Sequence, residues 1–413
     1  MINRRKFLAG CSASALATLA LRSHSTSFGI PYVDDVAGAP ARFIQRHFLK
    51  DPVVIESMAL FERDGTWFVR ARSNDGAEGW AVSHDNMRRY YPIFNQTVAP
   101  AFIGRDARDL DDLVDDVYLL KGRYKFQGQP FWIPVATAEL AILDLLGAVS
   151  GKAAGDLLGG ILRRDIPLYI ANNHRDKGHE ESLRRIISSV DKIDAKAVKF
   201  KIGGRMKVLD QVPGRTEALI PMVAEALGDR CTLYADANSS YVDVDYAISI
   251  GKQLEKFGYA FYEEPCPFDY LEETKRVADA LEIPVAWGEQ ESSLWRFQWM
   301  IRNGGVQVPQ PDIFYFGGLI RSLRVAKWAE ENGLPATPHI SSGGLGFLYM
   351  GIYACCCPNP GKHQEYKGIN RHFPWESTGD PITVKNGIMT APTGPGIGVR
   401  FDPDFLNGAE KVT

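Results

Sequence analysis

Seven acidic, basic or imidazole side chains recur at a nearly constant interval, each at or just beyond the end of a short apolar run. The run 198–201 ends on Lys201, 233–235 leads into Asp236, and 260–262 leads into Glu263. Residues 285–287 precede Glu289, 306–308 precede Asp312, 334–337 precede His339, and 363–364 precede Glu365. Successive spacings are 35, 27, 26, 23, 27 and 26 residues. One strand, one helix and their two connections occupy about 25–35 residues. Helical patterns fill the intervals, as at 242–257, 271–281 and 319–332. Strands alternating with helices form a parallel sheet. Seven or eight such units in series predict a closed (β/α) barrel, whose functional side chains gather at the C-terminal strand ends. The charged residues fall at those positions.

Residues 50–160 follow another pattern. Runs 52–62 and 66–73 read as strands joined by Asp64-Gly65, a hairpin signal, and Asn74-Asp75-Gly76 reads as a further turn. Helical patterns follow at 87–98, 109–119 and 137–149. Strands first and helices later predict a separate α+β domain. The tail 381–404 carries β-like pieces between Gly/Pro turns.

The N-terminus reads as an address. Arg4-Arg5 with Phe7-Leu8, followed by an apolar run from Cys11 to Leu21, resembles a twin-arginine export signal. The run is shorter than the ~20 residues a bilayer span needs, so residues 1–30 are expected to be a signal for export to the periplasm. Cleavage is expected after Ala17 or Ala20. Leu8-Ala9-Gly10-Cys11 also looks like a lipoprotein box, but it precedes the apolar run, so export is expected over lipid anchoring at Cys11. No other segment reads as a membrane span. Lys and Arg number 47 against 50 Asp and Glu, a net charge of −3. That balance excludes nucleic acid as the main partner. Six cysteines make no disulfide framework, and the consecutive Cys355, Cys356 and Cys357 are expected to be buried small apolar residues.

Asp236, Glu263 and Glu289 on adjacent strand ends would repel one another unless a cation neutralised them. An all-oxygen set suits Mg²⁺. Lys199 and Lys201, two apart on one strand, face the same side. A neighbouring ammonium and a dication both lower a lysine's pKa toward that of a useful base. Asp312 and His339 on the next two strands form a second acid–base pair, the Asp orienting the imidazole. The loop Ser341-Ser342-Gly343-Gly344 after His339 leaves room beside the ring. His84, His174 and His363 are expected to be satisfied buried or surface histidines. A metal with bases on two faces suits removal of a proton α to a carboxylate, with stabilisation of the ene-diolate that forms. A protonated Glu365 would donate a hydrogen bond to that oxyanion.

With these residues in place, the chain resembles the enolase superfamily and, within it, the mandelate racemase subgroup. The resemblance spans about residues 50–405 and rests on VKFKIGG (198–204), DAN (236–238), EEP (263–265), GEQ (288–290), PDIFYFGG (311–318) and PHISSGG (338–344), with the longer signatures 136–160 and 384–402. It implies an α/β fold, a modified TIM barrel (β/α)₇β over 161–370. It also implies an N-terminal α+β capping domain over 45–160, which the segment 371–413 rejoins. It implies Mg²⁺ on Asp236, Glu263 and Glu289, with ligation by Glu264 in place of Glu263 left open. It implies Lys201 as the base on one face, tuned by Lys199, and an Asp312–His339 dyad on the other. Glu365 would lie near the substrate carboxylate and Asn238 near the substrate. Two mobile capping loops are expected within about 62–68 and 78–95, the second carrying His84, Arg88, Arg89, Tyr90 and Tyr91. Phe314-Tyr315-Phe316, where relatives often place a polar residue, predicts an unusually aromatic pocket. The implied activity is dehydration of an acid sugar or hydroxy acid to a 2-keto-3-deoxy acid. The alternatives are a racemase or epimerase and a catalytically inactive exported binding relative. The expected partners are a small-molecule carboxylate and copies of the chain itself, from dimer to octamer.

Overall fold

The computed structural model describes residues 41–341, 344, 346–368 and 374–413. Arg4, Arg5, Cys11, Ser342 and Gly343 lie outside the described residues.

Three antiparallel strands come first: β1 (Ile55–Arg63), β2 (Thr66–Ser73) and β3 (Glu78–Val82). Asp64 and Gly65 connect β1 and β2 with positive φ at both positions, 51° and 79°. That is the two-residue turn whose twist matches the strands it joins. The capping loop expected within 62–68 is here this two-residue turn, with cross-strand pairing continuing to Arg63 and Thr66.

The sheet lies on the helix Gln129–Ser150. This helix begins eight residues before the expected 137 and runs through Pro134. The missing Pro134 N–H costs one hydrogen bond near the helix start, whereas Phe131, Trp132 and Ile133 are all buried there, so packing outweighs the break. The helix is also long and apolar enough to cross a bilayer, contrary to the sequence reading, but 78% of its most apolar window is buried within the fold. Gly79 is where sheet and helix meet: a Cβ there would lie 2.0 Å from Leu145 N and 2.4 Å from Ala141 O. Both are backbone atoms, so Gly79→Ala is expected to destabilise the protein by about 3 kcal/mol in urea unfolding.

The parallel strands β4 (Asp165–Asn172), β5 (Ala197–Lys201), β6 (Thr232–Asp236), β7 (Phe261–Glu263), β8 (Val285–Trp287) and β9 (Val308–Pro309) pair in sequence order. β10 (Gln364–Tyr366) pairs in parallel with β4. The seventh position, between β9 and β10, is filled by residues 336–339, through parallel bridges Asp312–His339 and Ala336–Pro360. Helices His179–Ile193, Arg215–Leu227, Val244–Lys256, Leu271–Ala280, Leu294–Arg302, Leu319–Glu331 and Gly346–Cys356 alternate with these strands, which gives (β/α)₇β. Tyr169, Tyr234 and Phe261 fill the barrel interior, the last two stacked at 4.1 Å. Cys355, Cys356 and Cys357 are buried as expected.

The remaining strands are β11 (Trp375–Ser377), β12 (Val384–Lys385), β13 (Ile388–Thr390), β14 (Val399–Phe401) and β15 (Glu410–Val412). β13 runs antiparallel to β4, and β15 adds to β1 as the outer strand of the first sheet.

Glu139 ties the long helix to the barrel. Fully buried, it accepts hydrogen bonds from Leu319 N–H (2.5 Å) and Ile320 N–H (3.2 Å), capping the helix Leu319–Glu331. Gly318, at φ +113°, leaves it room, since a Cβ there would lie 2.4 Å from Glu139 Oε1. Burial pushes the Glu139 pKa up to about 8 against the pull of the two N–H groups. Folded protein thus keeps a proton that unfolded chain releases near the ordinary value, so stability falls as pH rises from about 4.5 to 8. Glu139→Gln is expected to flatten that decline, by up to a few kcal/mol at pH 8, in melting curves compared across this range.

Candidate active site

The mouth of the barrel is built from strand registers. Lys201, Asp236 and Glu263 are direct neighbours across β5, β6 and β7 and so end at one height. Along β5, Val198 and Phe200 pack into the outer core while Lys199 and Lys201 alternate inward, both buried. Glu289 follows β8 through Gly288, which has φ +120° and where a Cβ would lie 2.4 Å from the Phe297 ring. One oxygen each from Asp236, Glu263 and Glu289 lies within 4.8 Å of the others, and all three residues are buried.

Two lysine side chains face these acids. Lys199 Nζ donates to both Glu263 oxygens, at 2.7 and 2.9 Å, and lies 3.2 Å from Glu365 Oε1. Lys201 Nζ donates to Asp236 Oδ2. Burial opposes a charge on Asp236, but Lys201, Lys199 and Arg175 outweigh it and hold the carboxyl below its usual range. Burial and the nearby Asp236 push Glu263 up. Burial works against the Lys199 charge, yet Glu263, Glu365, Tyr169 and Asp236 hold its pKa well above normal. Glu289 Oε2 and Gln310 Oε1 are buried without a hydrogen-bond partner, and Gln310 Nε2 donates to Glu263 at 3.0 Å.

A compact, buried, all-oxygen donor set fits a hard divalent cation. Glu264 does not join the set. Its backbone has φ +42°, its side chain takes a hydrogen bond from Ser239 Oγ at 3.3 Å, and it is pushed well above its ordinary pKa by burial and by Glu289, Asp236 and Glu263.

The second acid–base group stands at the Glu289 side. His339 Nδ1 is 2.6 Å from Asp312 Oδ2. Asp312 Oδ1 is fixed in turn by Phe314 N–H, Tyr315 N–H and Ser341 Oγ. A donating Nδ1–H leaves Nε2 to handle protons, and Nε2 lies 3.2 Å from Glu289 Oε2 and 3.6 Å from Glu365 Oε2. Burial lowers the His339 pKa, but Glu289, Glu365 and the Asp312 bond more than offset this and the opposing Lys367, so it is raised.

Glu365 differs from its expected form. It accepts from Ile340 N–H at 3.1 Å and lies beside Lys199 and Lys367. Burial would favour the acid, yet Lys199, Lys367, His339 and Lys201 hold its pKa well below normal, so it stands as a carboxylate and not as the expected donor. Asn238 is held at both ends. Its Nδ2 donates to Glu289 at 3.1 Å, and its Oδ1 accepts from Arg175, so it braces the acids.

Phe314-Tyr315-Phe316 does not make an aromatic pocket wall. Phe314 and Phe316 are fully buried, packing on Tyr349 and Phe297 respectively, and Tyr315 alone is partly exposed. Of the capping residues 84–91, His84 reaches the mouth, its ring 5.4 Å from that of Tyr315. It is buried and satisfied, as expected, its Nδ1 accepting from Asn86 N–H at 2.9 Å, and it stands in the charge field of Asp312, His339 and Lys367. Arg88 and Arg89 point to solvent from the helix Met87–Ile93, and Tyr91 stacks on Trp67. His363 is satisfied by Tyr234 OH at 2.9 Å, and His174 lies 3.4 Å from Arg185.

Three residues of the site were not anticipated: Arg175, Gln310 and Lys367. Lys367 carried a readable signal, standing two residues past Glu365 as Lys201 stands two past Lys199.

A (β/α)₇β barrel with a carboxylate triad and acid–base groups on both sides of it is the architecture of the enolase superfamily. Residues 182–405, more than half of the chain, match the family described as enolase C-terminal domain-like, and the chain belongs to that family. Among solved structures it is 34% identical to a candidate racemase from Roseobacter denitrificans, with TM-score 0.79 over 87% of this chain and 99% of that one. A mandelate racemase/muconate lactonizing protein from Paracoccus denitrificans, solved with magnesium, is 26% identical, with TM-score 0.77 over 87% and 99% of the two chains. The arabinonate dehydratase of Saccharolobus solfataricus is 28% identical over 302 residues, 72% of this chain and 78% of that protein.

Proposed function

We propose that this protein is a Mg²⁺-dependent dehydratase of acid sugars, which removes the proton α to a carboxylate and expels the β-hydroxyl. The observation that carries this reading is the placement of Lys201 against Asp236 and His339 against Glu289, on two sides of one carboxylate triad. Asp236, Glu263 and Glu289 would hold the metal, which supplies Lewis-acid stabilisation of charge growing on the substrate carboxylate.

The chain's own groups do the rest. Asn238 and Gln310 hold Glu289 and Glu263 in place. Lys201 takes the α-proton on its side. Asp312 fixes the His339 tautomer so that Nε2 returns a proton to the departing oxygen. The many charged and amide groups around Nε2 suit a polyhydroxy acid better than an apolar one. The named activity of the Saccharolobus relative supports the same substrate class.

The second reading, a racemase or epimerase using Lys201 and His339 on opposite faces of one carbon, is favoured by the similarity to the Roseobacter protein. Proton NMR in D₂O with MgCl₂ and five- and six-carbon aldonates and aldarates separates the two. Dehydration gives a 2-keto-3-deoxy acid. Loss of an α-proton with every hydroxyl retained and the configuration inverted would replace this proposal with the racemase reading.

A further inference from the structure

Lys367 has no part in the reaction as described above, yet it lies against the reacting nitrogen. Glu365 points inward from β10, and Lys367, two residues on, points the same way. Its Nζ is 2.7 Å from Ile340 O, 3.2 Å from Glu365 Oε2 and 3.3 Å from His339 Nε2. Its side chain is 22% exposed, against 0% for Glu365 and 8% for His339, so its head borders the open side of the mouth. His339 Nδ1 is committed to Asp312. A substrate atom that meets Nε2 is therefore also within reach of Lys367. Ile340 O and Glu365 take two of its N–H groups, and the third is directed at His339 Nε2, where a substrate oxygen would enter between the two nitrogens. An ammonium there stabilises an oxygen that gains charge. It offers nothing to a carbon that only exchanges a proton.

We propose that Lys367 is a catalytic residue that donates a hydrogen bond to the β-hydroxyl oxygen as it leaves, sharing that oxygen with His339 Nε2. The inference rests on the dehydratase reading. Lys201 Nζ takes the α-proton, and the electron pair it leaves becomes the Cα–Cβ double bond. The Cβ–O bond breaks with its pair on oxygen, which takes the His339 Nε2 proton and departs as water. Lys367 keeps its three protons throughout. The enol then ketonises to the 2-keto-3-deoxy acid, one water having been lost.

The test compares wild type with Lys367→Met and Lys367→Gln, with MgCl₂ in D₂O. The probes are the aldonate that wild type dehydrates and its β-fluoro analogue, whose leaving fluoride needs no proton. For Lys367→Met, loss of water is expected to fall about 100-fold, the typical effect of removing one such donor. Deuterium should still enter the α-position of recovered acid, whereas fluoride release should fall along with water loss, because a departing fluoride gains charge as the oxygen does. Lys367→Gln, which keeps a neutral donor, should fall in between, and both variants should bind Mg²⁺ in calorimetry as wild type does. Equal losses on both probes and in exchange would show a structural role and overturn the proposal, as would unchanged water loss. If wild type yields no keto acid from any aldonate or aldarate, the dehydratase reading fails and this role goes with it.

Discussion

Lys201→Met is expected to lower turnover by about 10⁴-fold, the upper range for a positioned general base, and to abolish deuterium entry at the α-carbon. His339→Asn is expected to lower turnover by about 10³-fold on the same scale, while exchange at the α-carbon continues. The split follows from position. Lys201 sits on β5 against Asp236, and His339 sits two strands beyond Glu289's own strand, tied to Asp312. If Lys201 removes the proton and His339 only serves the departing oxygen, the first half of the reaction survives without the imidazole. Exchange that survives in Lys201→Met and disappears in His339→Asn would reverse the two roles. Arg215 offers an internal control on geometry, because it is buried and donates to Lys201 O at 2.9 Å, Ser182 Oγ at 3.2 Å and His174 O at 3.0 Å.

The site residues that were legible in sequence share one property. Asp236, Glu263, Glu289 and Glu365 each close a run whose strand character is local, and a barrel carries every such end to the same rim. Lys199 and Lys201 were legible from the two-residue period alone. Arg175 and Gln310 lie past their strands in loops, where no periodicity fixes a direction. His84 reaches the mouth from the first sheet's side, and a contact with Tyr315 across so many residues leaves no trace in local pattern. The aromatic triplet at 314–316 misled because its turn, pinned by Asp312 Oδ1, sends two rings into the core. The helix start at Gln129 was hidden by Pro134, whose single lost hydrogen bond is outweighed by the burial of its neighbours. β15, three residues long, is held by pairing with β1 and by an Asn95 Nδ2 hydrogen bond to Val412 O at 3.1 Å, both distant in sequence.

Lys199→Met is expected to cost about 3–5 kcal/mol of stability in EDTA, the usual penalty for breaking a buried ion pair from one side. The ammonium is 1% exposed and balances both Glu263 and Glu365, so its loss would leave Glu263 without its lysine partner and Glu365 with Lys367 alone at its other oxygen. Three consequences follow from the same charges. First, Mg²⁺ at the triad places new positive charge beside Glu263, so saturating MgCl₂ should raise the melting temperature of the variant more than that of wild type. Second, the Glu365 contribution to the pH dependence changes sign. In wild type the Glu365 pKa is depressed, so its contribution is complete above the unfolded value and is lost as pH falls through it. In the variant, burial without Lys199 favours the protonated acids, and stability should rise as pH is lowered from neutrality toward about 5. Third, Lys199→Arg should recover the charge but not the bidentate fit to Glu263, since the larger guanidinium must displace Tyr169, which lies 5.1 Å beneath the ammonium. A variant as stable as wild type in EDTA at neutral pH would show that Lys201 and Lys367 alone suffice to neutralise the acids, and that Lys199 is present for catalysis only.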